Sequence, residues 1–248
     1  MRASRLALSV TLHELQVALG AAPGAQVVLL GAGLDSRAWR CTPPAGAPLA
    51  AAVFEVDRAD VLVSRSALPL LPPRSISRAR AQAAKAAVFA AMPGGTPPLT
   101  LAKRYAAVAA DLCSEDWAAS LRAAGHAPDI PTVWLLEGLL YYMPEAAVAA
   151  LLRGCAAASA PGSALVASCV NTPALTRAQT SGRSAAMRSF QSAVDDPAAY
   201  FGAAGWRVVA APRPGDPDCS YGGRHAAPEA DAGDASKPAS YYVRAVLA

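Results

Sequence analysis

The sequence predicts an α/β fold: a doubly wound, mostly parallel sheet with helices on both faces. Three observations predict it. Short apolar runs alternate with helical stretches along the chain, the pattern of a parallel sheet buried on both sides. A Gly-Ala-Gly turn follows the first of these runs, in "VVLLGAGLDSRAWR" (27–40). The second run closes on acids, in "VFEVD" (53–57), about twenty residues past the glycines, where an acid commonly meets ribose hydroxyls.

The elements follow in order. Residues 5–19 carry apolar positions at helical spacing and stop at Gly20 and Pro23. Residues 26–30 are a strand, 31–35 a turn, and "SRAWR" opens a helix with Ser36 near its cap. A second strand spans 51–57, and 60–92 holds helical stretches broken at "LPLLPP". A Pro/Gly tract (92–98) leads to a strand at 105–112 and a Ser-capped helix at 114–125. Strand 132–138, helix 144–159 with Pro at its start, and strand 162–170 come next. Residues 174–194 read as helical, 205–212 and 240–247 as strands, and the Pro/Gly/Asp-rich stretch between those strands as a surface loop. The last two of these seven strands have no helix between them, so one of them is expected to run antiparallel.

Composition narrows the function. With 248 residues, 54% of them hydrophobic and 16% charged, the chain suits one domain over 1–248 with a substantial core. A net charge of +4 without basic clusters among aromatics argues against a nucleic-acid partner. The cysteines (Cys41, Cys113, Cys155, Cys169, Cys219) form no CxxC and only three histidines are present, so buried free thiols are expected rather than a metal site or disulfide framework. No apolar run is long enough for a bilayer. The lead "MRASRLALSVTLHEL" is interrupted by His13 and Glu14 and lacks a cleavage pattern. It reads as an amphipathic helix of a soluble, intracellular and cytoplasmic protein with no membrane partner.

Gly31 and Gly33 would let backbone approach a ligand without a Cβ in the way. Glu55 and Asp57 share one face of their strand, so both could reach it. Asp111 and Leu112 end the third strand, where a carboxylate and the following N–H can read an adenine edge. Glu137 follows four apolar residues, a costly position unless it meets a ligand. Tyr141 and Tyr142 follow on a loop and could line a pocket. Each feature has a plainer reading: a tight turn, a solvated strand end, a helix N-cap, surface aromatics. Ser36 stands where a dinucleotide fingerprint needs a third glycine, and no Tyr-x-x-x-Lys pair is present, which disfavours a nicotinamide dehydrogenase.

The ordered blocks "VVLLGAGLDSRAWR", "VFEVD", "VAADL" with Trp117, "PTVWLLEGLLYYMPE" and "APGSALVAS" resemble the leucine carboxyl methyltransferase superfamily, in particular its branch of S-adenosylmethionine-dependent methyltransferases. The resemblance covers residues 26–170 and continues more loosely through Gly205–Trp206 and "YGGR" (221–224). It implies a class I methyltransferase fold with seven strands, the last antiparallel, and S-adenosyl-L-methionine as methyl donor. Gly31 and Gly33 would flank the donor's amino-acid portion, Asp57 with Glu55 would hold the ribose, Asp111 and Leu112 would read the adenine, and Glu137 would sit under the amino or sulfonium end. Relatives carry a longer helical lead with an arginine that pairs with a carboxylate. Here about twenty-five residues precede the first strand, and Arg2 or Arg5 would stand in.

A single helix over residues 1–20 is not expected to cover the mouth made by Gly33, Asp57 and Glu137, leaving the donor pocket open. Methyl transfer from a sulfonium is mostly positioning and desolvation. A carboxylate acceptor, on a small molecule or a protein, is already ionised and needs no general base, which suits a chain whose late histidines, His126 and His225, fall in expected solvated loops. The alternative is a degenerate member that binds the donor or a protein partner without turnover.

Overall fold

A computed structural model describes residues 2–58, 80–114, 116–181, 185–214, 216 and 236–248, without the side chains of residues 2–9, 80–84 and 86. Seven strands form one sheet in the order β3-β2-β1-β4-β5-β7-β6: β1 (Gln26–Leu30), β2 (Val53–Asp57), β3 (Tyr105–Ala109), β4 (Thr132–Leu136), β5 (Ala164–Val170), β6 (Trp206–Ala210) and β7 (Ser240–Leu247). The ladders among β1 to β5 are parallel, and β7 is antiparallel to both β5 and β6. β1 lies between β2 and β4, with Leu29 opposite Glu55 on one side and Leu135 on the other. The chain therefore reverses its winding at the β1/β4 gap, and a crevice opens there at the carboxyl ends of the strands.

Both faces of the sheet are covered, which is why β1, β2, β4 and β5 are buried along their whole length and read as continuous apolar runs. Val28, Leu30, Phe54, Val56, Trp134 and Leu136 face one core, shared with residues of α4 (Trp117–Ala123) and α5 (Glu145–Ala157). Val27, Leu29, Val53, Val133 and Leu135 face the other, capped by Leu15, Ala18 and Leu19 of α1 (Arg2–Ala21). No described helix is long and apolar enough to cross a membrane.

Several expectations change in detail. The helix after the glycine turn is one turn only, α2 (Arg37–Arg40), and Ser36 does not cap it with its side chain. Helix α4 follows Asp116 rather than a Ser cap. Of the stretch 60–92 the described part is α3 (Arg80–Ala91); the break at 68–73 and the segment 221–225 lie outside the described residues. Among the described residues, the stretch 174–194 is helical as α6 (Thr172–Ser181) and α7 (Ala185–Arg188). Beyond Arg188 the backbone instead pairs with its surroundings: Gln191 donates its N–H to the Tyr141 carbonyl at 2.7 Å and Val194 to the Val170 carbonyl at 2.8 Å. The sequence reading also missed α8 (Pro197–Gly202), whose start is marked by Asp196, accepting from the Ala199 N–H at 3.1 Å, and by Pro197. Among the described cysteines, Cys41, Cys155 and Cys169 are buried thiols as expected and Cys113 is exposed.

His126 also differs from expectation, being only 4% exposed. The loop before β4 folds back beneath the amino ends of the strands because the Gln26 side chain bonds both the N–H (2.9 Å) and the carbonyl (2.7 Å) of Ala127. That seats the His126 ring against Phe54 and Trp134, with Nε2 2.9 Å from Thr132 Oγ1. Burial, reinforced by the Arg122 charge, pushes the imidazole pKa down to about 4. Its folded pKa lies below the unfolded value of about 6.5, so the unfolded chain binds more protons. Stability is therefore complete above about pH 6.5 and falls as the pH drops towards about 4. Urea unfolding of wild type should show a loss of about 2 kcal/mol between neutral pH and pH 4.5, an acid limb that His126→Phe shortens.

Candidate functional site

The turn after β1 forms one wall of a cavity of about 510 Å³, lined among others by Gly31, Leu34, Asp35, Arg37, Glu137 and Gly138. Gly31 and Gly33 hold left-handed φ angles of +67° and +50°. A Cβ on Gly31 would also meet Leu139 Cδ1 at 3.0 Å, so both conformation and space select glycine there. Gly31 donates its N–H to the Val56 carbonyl at 2.8 Å. Gly33 donates its N–H to Asp57 Oδ2 at 2.9 Å, while Asp57 Oδ1 accepts from the Arg58 N–H at 2.8 Å. Asp57 thus ties the glycine turn to the end of β2 and stays slightly exposed, at 8%.

Arg37, which sequence reasoning passed over, is the centre of the site. It is 1% exposed, and its guanidinium pairs with Asp35 and with Glu137 from the end of β4. Nη2 also donates to Thr11 Oγ1 at 3.1 Å, and that hydroxyl donates to Glu137 Oε2 at 2.7 Å. Burial works against the guanidinium charge, but the carboxylates of Asp35 and Glu137 outweigh it and leave its pKa above the ordinary arginine value. Nε is buried with no hydrogen-bond partner among the described residues. Asp35 also accepts the Arg37 N–H at 2.7 Å, the service expected of Ser36, whose hydroxyl instead accepts from Arg40 Nε at 3.1 Å. The available signal was Asp-x-Arg two residues after Gly-x-Gly.

Helix α1 reaches this cluster through Thr11. The side chains of Arg2 and Arg5, the candidates for a carboxylate partner, lie outside the described residues.

The two acids of β2 separate in role. Glu55 is fully buried; its Oε2 accepts from Lys85 Nζ of α3 at 2.5 Å and from the Tyr105 hydroxyl at 2.9 Å. Lys85 also donates to the Asp35 carbonyl at 2.5 Å and lies 5.4 Å from the centre of the Trp39 ring. Only Asp57 remains at the strand mouth. Asp111 is exposed beyond β3, where its Oδ1 accepts from the Cys113 N–H at 3.0 Å, and the Leu112 side chain is buried.

Past Glu137, the turn Leu140–Tyr142 stacks Tyr141 and Tyr142 on Phe190, with ring centroids 4.3 and 5.1 Å from it. The Tyr141 hydroxyl lies 3.6 Å from where a Cβ on Gly138 would be. Burial first, then the neighbouring Tyr142, pushes the Tyr141 phenol up to about 12, so it stays protonated at neutral pH. Among the described residues no group of three or more His, Cys, Asp or Glu could hold a metal ion.

Comparison with known proteins bears on this geometry. Residues 11–156 match the family model described as leucine carboxyl methyltransferase. A Streptomyces avermitilis protein named "Putative S-adenosyl-L-methionine-dependent methyltransferase" is 36% identical over 185 residues, 74% of this chain and 55% of its own length. The chain thus spans about half the length of the curated relatives it matches. Among solved structures, a duf574 family protein from Streptomyces avermitilis superposes with a TM-score of 0.59 at 15% identity, over 98% of this chain and 83% of that one. Magnesium protoporphyrin IX methyltransferase from Synechocystis PCC 6803 with bound SAH superposes with a TM-score of 0.50 at 16% identity, over 98% and 85%. At such identities the two structures speak to the fold alone.

The buried pair behind the turn makes a prediction. Lys85→Met strands the Glu55 carboxylate and should destabilise the fold by about 3–5 kcal/mol, whereas Lys85→Met with Glu55→Leu should recover most of that loss. Denaturant unfolding of the two variants beside wild type checks it; a double variant no more stable than the single one would show that the pair is not the cause.

Proposed function

The chain belongs to the leucine carboxyl methyltransferase family and has the class I methyltransferase fold, and from that premise we propose that it binds S-adenosyl-L-methionine in the cavity after β1 and transfers the donor's methyl group to a carboxylate. One observation carries the reading: acids from the ends of β2 and β4, Asp57 and Glu137, flank a left-handed glycine turn beside a cavity large enough for a nucleoside with an amino-acid tail.

The residues fit the parts of such a donor. Asp57 already accepts one N–H on each oxygen and keeps lone pairs for the ribose hydroxyls. Glu137, beside the cavity, suits the tail's ammonium, and the Nε–H of Arg37, without a partner among the described residues, suits its carboxylate. Asp111 and the N–H of Leu112 suit the adenine edge. Gly31 and Gly33 keep the approach clear. Glu55 supports this set from behind through Lys85 rather than by contact.

The donor supplies a methyl group already activated on a sulfonium. What the protein adds is orientation of both partners and exclusion of water. An acceptor carboxylate is ionised at neutral pH and needs no proton removed. Tyr141, protonated at neutral pH beside Gly138, can donate a hydrogen bond to that acceptor rather than act as a base. With Tyr142 and Phe190 it offers an aromatic surface to the acceptor's apolar part.

Titration calorimetry with S-adenosyl-L-methionine and its demethylated product is the test. Binding is expected in wild type. Asp57→Ala and Asp111→Ala should each weaken it by about 1–3 kcal/mol, and Asp111→Ala should also erode discrimination between adenosine and inosine forms. Gly33→Val should abolish binding, because a branched side chain at a left-handed φ disturbs the turn. No heat and no thermal shift with either compound would sink the reading. Labelled-methyl transfer to small carboxylic acids then separates turnover from binding alone.

A further inference from the structure

Among the described residues, the N-terminal helix reaches the Arg37 cluster through Thr11. Thr11 is fully buried, and its hydroxyl donates to Glu137 Oε2 at 2.7 Å while accepting from Arg37 Nη2 at 3.1 Å. It therefore touches the two residues that the donor reading assigns to the amino-acid tail. Residues 14–19 of the helix are held elsewhere. Leu15, Ala18 and Leu19 pack on the sheet, the Gln16 amide donates to the Thr42 carbonyl at 2.5 Å, and the Glu14 carboxylate accepts from Arg244 Nε of β7 at 2.6 Å.

We infer that Thr11 is a positioning residue for the donor's amino-acid tail, and that docking of α1 and binding of the donor are linked equilibria. The inference rests on the donor reading above. A β-branched side chain on a helix has little χ1 freedom, so the position of the helix decides whether this hydroxyl reaches Glu137. When it does, Glu137 Oε2 accepts from both Thr11 and Arg37, and the carboxylate so oriented keeps its remaining lone pairs for a ligand's ammonium. It also helps set the guanidinium of Arg37, whose Nε–H faces no other described acceptor. When the helix moves away, the Arg37–Glu137 pair loses the hydroxyl that both share, and the carboxylate is no longer held in one orientation towards the tail. A ligand that favours the docked state is in turn favoured by anything that docks the helix, by the same factor.

The test uses S-adenosylhomocysteine with the full chain, read by calorimetry and by amide hydrogen exchange over residues 10–19. In wild type the ligand should slow exchange in this helix. Thr11→Val, which keeps the shape and removes the hydroxyl, should weaken binding about tenfold, within the range common for coupled sites, and remove most of the ligand-dependent protection. Thr11→Ser should restore both. Glu14→Gln, which loosens the contact with Arg244 without touching Glu137 or Arg37, should weaken binding by a smaller factor, a change that a local role of the Thr11 hydroxyl would not produce. A wild type that binds without protecting the helix, or a Thr11→Val protein that binds as tightly as wild type, overturns the inference and leaves the donor reading standing. A wild type that does not bind at all overturns the donor reading and the linkage with it.

Discussion

One buried guanidinium joins three stretches of chain that are remote in sequence. Arg37 pairs with Asp35 in its own turn, with Glu137 one hundred residues on, and with Thr11 near the start. Arginine suits this place because its charge persists under burial and its planar fork serves several oxygens at once. Such a cluster adds little net stability, since the cost of taking the charges out of water offsets most of their attraction. Its effect is geometric. With Arg37 in place, the glycine turn, the end of β4 and the N-terminal helix have one mutual arrangement, and the cavity takes its shape from it.

A second charge cluster stands behind the first, and the two meet at one residue. The Asp35 carboxylate holds Arg37, while the Asp35 carbonyl accepts from Lys85, which in turn neutralises Glu55 beneath the Tyr105 hydroxyl. The turn is thereby gripped from the cavity side and from the sheet side. With Gly31 and Gly33 committed to left-handed backbone, a loop that would otherwise be mobile becomes a preorganised wall. This explains how two acids on one face of β2 come to differ: Asp57 lies at the strand mouth and meets backbone N–H groups, while Glu55 lies two residues deeper and can remain charged only with a buried cation.

The sheet makes these clusters possible. With β1 flanked in parallel by β2 and β4, the carboxyl ends of three strands arrive together, and residues 31–37, 57 and 137 converge. The antiparallel β7 lies away from this edge and serves instead to anchor α1 through Arg244 and Glu14. The helix that holds Arg37 and Glu137 through Thr11 is thus also fastened to β7.

The sequence by itself determined the sheet and its seven strands. A strand buried on both faces reads as a nearly continuous apolar run, so "QVVLL" could be bounded to the residue, and the acids ending apolar runs stood out because burial makes them costly. Strand ends at 105–112 and 132–138 were read three and two residues too long, past the last ladder residues Ala109 and Leu136. Only the tertiary structure decided which polar residues meet. Thr11, Lys85 and His126 look ordinary on helices and a loop, since their partners are set by packing across the sheet, and no local pattern encodes a contact between residues 11 and 137. Arg37 was hidden for the same reason: its importance lies in a carboxylate one hundred residues away.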